Sequence, residues 1–124
     1  HSTPRRPTVG QVVDIRVHLK IADGWHINSN PAALNLIPTS LALTLIGAGL
    51  RVDEVAYPEG RDHVIAELGD TLSVWSGAVE ITARGTALTP GSGTLTAVID
   101  YQACDHRRCL APTQLSATIE MEID

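Results

Sequence analysis

Val12-Val13-Asp14-Ile15-Arg16-Val17-His18-Leu19-Lys20-Ile21 alternates apolar and polar residues along most of its length. Ile15, Val17, Leu19 and Ile21 fall on one face, and Asp14, Arg16, His18 and Lys20 on the other. Successive side chains of a strand point to opposite faces, so this spacing predicts a half-buried antiparallel strand. The same period returns in Leu41, Leu43 and Leu45, closed by Gly47-Ala48-Gly49, and in Val79, Ile81 and Ala83. Leu95, Ala97, Ile99 and Tyr101 repeat it, as do Leu115, Ala117, Ile119, Met121 and Ile123, with Thr118, Glu120 and Glu122 on the wet face. Residues 50–57 give a weaker strand that ends at Pro58-Glu59-Gly60.

The stretches between these strands carry turn chemistry. Asp23-Gly24 is a turn signal, Trp25-His26-Ile27-Asn28 resumes extended structure, and Ser29-Asn30-Pro31 stops it. Residues 32–40 read as an irregular crossing segment, because Pro38 disfavours helix at the residue before it. Residues 61–73 lack a sustained period and are interrupted by Gly69-Asp70. They read as a long loop with room for a short helical turn, and long loops in compact domains are often functional. Thr89-Pro90-Gly91-Ser92-Gly93 reads as a turn region. Six to eight short strands with turn punctuation and no helix of normal length predict an all-β fold, an immunoglobulin-like antiparallel β-sandwich. A small barrel is the alternative. The Cys…Trp…Cys spacing of antibody domains is absent.

A chain of 124 residues makes one domain, with enough buried surface for a core that needs no staples. We place the folded unit at residues 9–124 and read residues 1–8 as a flexible arm or a cloning remnant. Aromatics are confined to Trp25, Tyr57, Trp75 and Tyr101, so the core must be aliphatic. A net charge of −5 argues against nucleic acid or an anionic membrane surface as the main partner. No apolar run approaches the roughly 18 residues of a spanning helix.

The chemistry concentrates in Tyr101-Gln102-Ala103-Cys104-Asp105-His106-Arg107-Arg108-Cys109-Leu110-Ala111-Pro112. This stretch holds both cysteines of the chain. Three uses are open. As a staple, a bridge closing so short a loop is worth roughly 2 kcal/mol in the chain-entropy model, less than a long-range bridge gives. As a metal site, Cys104, His106 and Cys109 form C-x-H-x2-C, which lacks the second half of the usual zinc spacings, although His26 or His63 could in principle complete four ligands. As a redox pair, the sulfurs need thiolate character, which His106, Arg107 and Arg108 promote and Asp105 partly offsets. Exchange favours a modestly activated thiol, because nucleophilicity falls as the pKa falls.

A resemblance separates these readings. Asp23-Gly24-Trp25-His26-Ile27-Asn28-Ser29-Asn30-Pro31, Leu36-Ile37-Pro38-Thr39-Ser40 and Tyr101-Gln102-x-Cys104…Cys109-x-x-Pro112 together resemble the N-terminal, disulfide bond corrector domain of the thiol:disulfide interchange protein DsbD family. The likeness runs from about residue 9 to 124. It implies an immunoglobulin-like, periplasmic oxidoreductase domain that takes reducing equivalents from a thioredoxin-like donor. Disulfide isomerases and cytochrome c maturation proteins would receive them, by transient mixed disulfides. Carried over by position, Cys109 meets the partner and Cys104 resolves the mixed disulfide. A cap loop that shields the pair corresponds to about residues 65–69. The family's cap carries an aromatic at its tip; this chain has no Phe, so Glu67 or Leu68 would stand there and shield more loosely. Tyrosines that flank the pair in the family fall on His26 and Asn28, and His26 would then assist proton transfer or else be an exposed strand-end residue. Tyr101 and His106 join the candidates by adjacency to the cysteines. The resemblance implies no metal, no organic cofactor and no membrane insertion of the domain itself. The chain is expected to be a piece of a larger protein with a transmembrane tether.

Overall fold

The computed structural model describes residues 2–3, 6–33, 36–65 and 70–124. Eleven strands are formed among them: β1 (Ser2–Thr3), β2 (Val12–Lys20), β3 (His26–Asn28), β4 (Ser40–Ile46), β5 (Gly49–Ala56), β6 (Arg61–Ile65), β7 (Asp70–Trp75), β8 (Ala78–Thr89), β9 (Gly91–Tyr101), β10 (Ala103–Cys104) and β11 (Thr113–Ile123). No helix is present among the described residues, so none is long and apolar enough to cross a membrane.

The strands form three antiparallel sheets ordered β1-β2-β8-β5, β11-β9-β4 and β10-β3-β7-β6. The alternation of residues 12–21 becomes β2, which pairs with β8 from Val12↔Thr86 to Lys20↔Ala78. The architecture is an immunoglobulin-like antiparallel β-sandwich, as the strand pattern predicts. The β1-β2-β8-β5 and β11-β9-β4 sheets bury one apolar cluster between them: Val13 and Ile15 of β2, Ala83 and Ala87 of β8, Leu95 of β9, and Met121 and Ile123 of β11. A second cluster, towards the cysteine end, joins Ile27, Leu41, Trp75, Val79, Ile81 and Ile99, and so ties the β10-β3-β7-β6 sheet of short strands to the other two. The core is almost wholly aliphatic. Its one fully buried aromatic is Trp75, whose indole N–H donates to Pro58 O at 3.1 Å. The Trp75 ring stacks on Tyr57, with ring centres 6.0 Å apart, and the Tyr57 hydroxyl accepts a hydrogen bond from Leu41 N at 3.0 Å.

Three parts of the fold differ from the sequence reading. Residues 61–65 and 70–73, expected in a loop with room for a helical turn, are strand: β6 and β7 pair from Arg61↔Val74 to Ile65↔Asp70. A short strand gains its order from its partner, and that pairing is invisible in a local period. Asp70, taken as part of an interruption, is the first residue of β7 and pairs with Ile65. Second, the turn-rich 89–93 contributes only Pro90 to the connection, because β8 runs to Thr89 and β9 starts at Gly91. Gly93 lies within β9 because a Cβ there would stand 2.8 Å from Leu45 Cδ1 and 2.9 Å from Ile46 O. Its glycine answers to close packing, not to a turn. Third, the chain before residue 9 is tied down where it is described. Pro7 is buried, Asp124 N donates to Pro7 O at 2.9 Å, and Arg6 pairs with Asp124 at 2.8 Å.

The crossing segment from Ser29 to Thr39 hangs on the end of β3. Asn28 Nδ2 donates to Ile37 O at 2.9 Å, Asn30 Nδ2 to Thr39 O at 3.0 Å, and Thr39 Oγ1 to Asn28 O at 2.7 Å. Beside it, the Ser29 and Ser73 hydroxyls are 2.6 Å apart. Gly60 lies against this pair: a Cβ on it would come within 2.5 Å of Ser29 Oγ and would overlap Ser73 Oγ. Gly60→Ala should therefore separate the two serines and destabilise the domain by about 1–3 kcal/mol, the usual cost of overpacking. Urea denaturation measures it; an unchanged midpoint would show that the pair shifts freely.

Candidate dithiol–disulfide site

The end of β9 carries the chain past Gln102 into β10, which pairs with β3 as Ala103↔Ile27 and Cys104↔His26. A tight reversal follows. Asp105 N donates to Arg108 O at 2.9 Å and Leu110 N to Ala103 O at 2.8 Å, which brings Cys109 back opposite Cys104. The two sulfurs form a disulfide, with Cα atoms 4.0 Å apart. Asp105 holds the turn together with its side chain: one carboxylate oxygen accepts from Arg107 N and Arg108 N, both at 2.8 Å. These two backbone hydrogen bonds are the main reason its carboxyl is held below the usual carboxylate range. Gln102 Nε2 adds a bond to Leu110 O at 3.1 Å.

The two sulfurs are not equivalent. Cys104 is 6% exposed and rests on β3, whereas Cys109 lies on the exposed return limb beside Leu110. The charges expected to activate them are also on the outside. His106, Arg107 and Arg108 are exposed, and Arg107 Nε donates to His106 Nε2 at 3.2 Å. Water screens such charges, so their pull on the sulfurs is weaker than the sequence suggests.

The sheet sets His26 directly opposite Cys104. Directly opposed residues of an antiparallel pair share a face, with Cβ atoms about 4.5–5.5 Å apart. The alternative of an exposed strand-end histidine fails, because His26 is only 9% exposed. Its ring lies against that of His63 from β6, the centres 4.8 Å apart and the planes tilted by 37°. Burial first, and the neighbouring His63 second, hold the His26 pKa below its ordinary value, while Asp105 works the other way. His26 is thus a neutral imidazole at neutral pH. His63, which the sequence offers only as a possible fourth metal ligand, is brought against His26 by the fold, since no local spacing relates the two.

The remaining candidates separate. Asn28 is buried and its amide is engaged by Ile37 O, which makes it an anchor of the crossing segment. Tyr101 is half-buried at the end of β9, where it packs against the second core cluster and lines a hollow of about 320 Å³ with Trp25, Ala103 and Leu115. Glu67 and Leu68 lie outside the described residues.

A pH prediction follows from His26. In the unfolded chain it takes up a proton near pH 6.5, whereas in the folded domain it does so only at lower pH. The unfolded state therefore binds more protons as pH falls below about 6.5, and stability declines there. His26→Gln should flatten this part of the curve while leaving the steeper loss at lower pH, where Asp105 and Asp124 become protonated. Denaturant midpoints at pH 7 and pH 5 provide the test. Equal declines in both proteins would show that His26 does not titrate differently on unfolding.

Comparison with known proteins matches residues 4–120 to the family described as thiol:disulfide interchange protein DsbD, N-terminal. The chain belongs to this family. Among solved structures it is similar to the DsbD N-terminal domain of Neisseria meningitidis in the reduced form, at 14% identity and a TM-score of 0.55. That likeness covers 94% of this chain and 82% of the other, and it is a likeness of fold. No curated protein sequence matches the chain. Membership in the DsbD N-terminal family, together with a disulfide-forming pair on one hairpin, supports thiol:disulfide interchange as the general activity.

Proposed function

We propose that this domain is a periplasmic carrier of reducing equivalents, cycling Cys104 and Cys109 between disulfide and dithiol. A thioredoxin-like donor would reduce it, and it would in turn reduce periplasmic acceptors, cytochrome c maturation proteins among them, while a transmembrane segment tethers it. The observation that carries this reading is the unequal exposure of the two cysteines. In reduction, a donor thiolate attacks exposed Cys109 Sγ, the Cys104–Cys109 bond breaks, and Cys104 departs as thiolate. A second donor thiol then attacks its own partner sulfur, releasing Cys109. Two electrons enter the domain, the donor becomes a disulfide, and the two thiolates take up protons. Delivery to an acceptor reverses these steps, with Cys109 as nucleophile and Cys104 as the resolving thiol. Neutral His26 beside Cys104 is suited to accept the Cys104 proton as that sulfur attacks.

A purely loop-pinning disulfide is the competing reading. The hairpin weighs against it, because Asp105, Leu110 and Gln102 already close the turn with hydrogen bonds. Redox titration against defined thiol buffers decides between them. An exchange pair should titrate above about −300 mV, where structural bridges of secreted proteins do not. A midpoint well below that would remove the redox proposal.

A further inference from the structure

The disulfide hairpin, His26 and His63 form one contiguous group drawn from three strands. Cys104 is directly opposite His26, Cys109 is bonded to Cys104, and the His26 and His63 rings are in contact. With the disulfide closed, no group of three or more metal-ligating residues is arranged to hold an ion among the described residues. Two sulfurs bonded to each other have no thiolate to offer an ion. Reduction changes the donor set.

We propose that the reduced domain binds one zinc ion through Cys104, Cys109, His26 and His63, and that the disulfide form does not bind it. This rests on the pair being reducible, and otherwise goes beyond electron transfer. Two thiolates and two imidazoles are a common tetrahedral zinc donor set, with Zn–N of ~2.0–2.1 Å and Zn–S of ~2.3 Å. Two imidazoles on one such ion have their ring centres about 5 Å apart at those bond lengths, and here they are 4.8 Å apart. The two sulfurs would have to separate to about 3.8 Å, as tetrahedral angles at those Zn–S lengths require. Side-chain rotation across Cα atoms 4.0 Å apart allows that. Binding replaces two S–H protons with one Zn²⁺, releases two protons, and transfers no electrons. C-x-H-x2-C lacks its second half in sequence, and His26 of β3 and His63 of β6, already offered there as possible completing ligands, would supply it.

The consequence is a reduced carrier whose thiols are held as zinc thiolates until a partner takes them, the ion slowing adventitious oxidation. The test uses the purified domain, reduced and freed of reductant, with thiol titration first establishing two free thiols. Failure to reach two would count against the redox reading and is seen separately from zinc binding. Zinc is then titrated against a chromophoric chelator, and Co²⁺ is added in parallel as a spectroscopic probe. One equivalent is expected in the dithiol protein and none in the disulfide protein. Thiolate-to-cobalt charge-transfer bands and tetrahedral ligand-field bands should both appear. His63→Ala and His26→Ala should each weaken zinc binding at least ~10-fold, with circular dichroism confirming that the strands persist. His63 stands on an outer strand, so its variant is the safer of the two. Full-affinity binding in both histidine variants would overturn the proposal, leaving a simple dithiol chelate. So would absence of a stoichiometric complex in protein with two titrated thiols.

Discussion

Cys104→Ala is expected to convert the domain into a covalent trap that accumulates as a mixed disulfide with its thioredoxin-like partner through Cys109. Cys109 is exposed at the return limb of the hairpin, so a partner can reach it in the variant as in the parent. The parent resolves the adduct by attack from a sulfur already placed across the hairpin, with Cα atoms 4.0 Å apart. Oriented intramolecular attack carries effective molarities far above any free thiol, so release should slow by ~10³-fold or more. Cys104 is a small buried side chain, and its truncation to Ala removes only a sulfur from the face of β3, so folding should survive. Non-reducing electrophoresis followed by mass spectrometry of the adduct reads the outcome. Cys109→Ala should form no adduct at the remaining buried thiol. Equal trapping by the two variants would mean that exposure does not set the order of attack, and the assignment of roles to the sulfurs would fall.

Unequal roles of this kind were legible in the sequence only through family resemblance. The physical difference between the sulfurs lies in the pairing of β10 with β3, which buries Cys104 and leaves Cys109 outside. Nothing local to Cys-Asp-His-Arg-Arg-Cys encodes it. The same holds for His26: its alternating neighbours mark a strand, but burial comes from β10 and β6, both distant in the chain. By contrast β2, β4, β9 and β11 are visible at once from their alternating apolar residues, although in β11 the dry face is buried only towards its end, at Met121 and Ile123, and Leu115 and Ala117 are exposed. β6 and β7 escaped because each is short and carries no sustained local period, and strand pairing is a property of both partners. The glycines of 89–93 misled in the opposite direction. They suggest turns, yet Gly91 pairs with Ile123 and Gly93 with Met121 inside a ladder.

These observations link the scaffold to the chemistry. The second core cluster sits under the strands that hold the cysteine hairpin, so weakening the core there should disturb the site before it disturbs the far end of the sandwich. The hairpin's own hydrogen bonds keep the four-residue turn closed, but its orientation depends on β3, and β3 depends on β7.

Trp75→Ala therefore carries the largest stability effect expected of any single change here. Trp75 is 3% exposed, pairs with Ile27 across β3 and β7, stacks on Tyr57, and satisfies Pro58 O through its indole N–H. Truncation removes the one fully buried aromatic, opens a cavity in an otherwise aliphatic cluster, and leaves a carbonyl without its donor. Loss of a buried Trp to Ala costs about 3–5 kcal/mol, a large part of the ~5–15 kcal/mol typical of a domain. The melting temperature should fall by roughly 10–20 °C at about 4 °C per kcal/mol for a chain of this size. Trp25→Ala is the control, since Trp25 is only half-buried at the rim of a surface hollow and should cost much less. Scanning calorimetry on both variants, paired with the rate of disulfide exchange below the melting range, separates stability from site geometry. If Trp75→Ala melted within a few degrees of the parent, the second cluster would not be what holds β3 in place. If it melted early yet exchanged at the parental rate while still folded, the hairpin would orient its sulfurs without help from the strand beneath it.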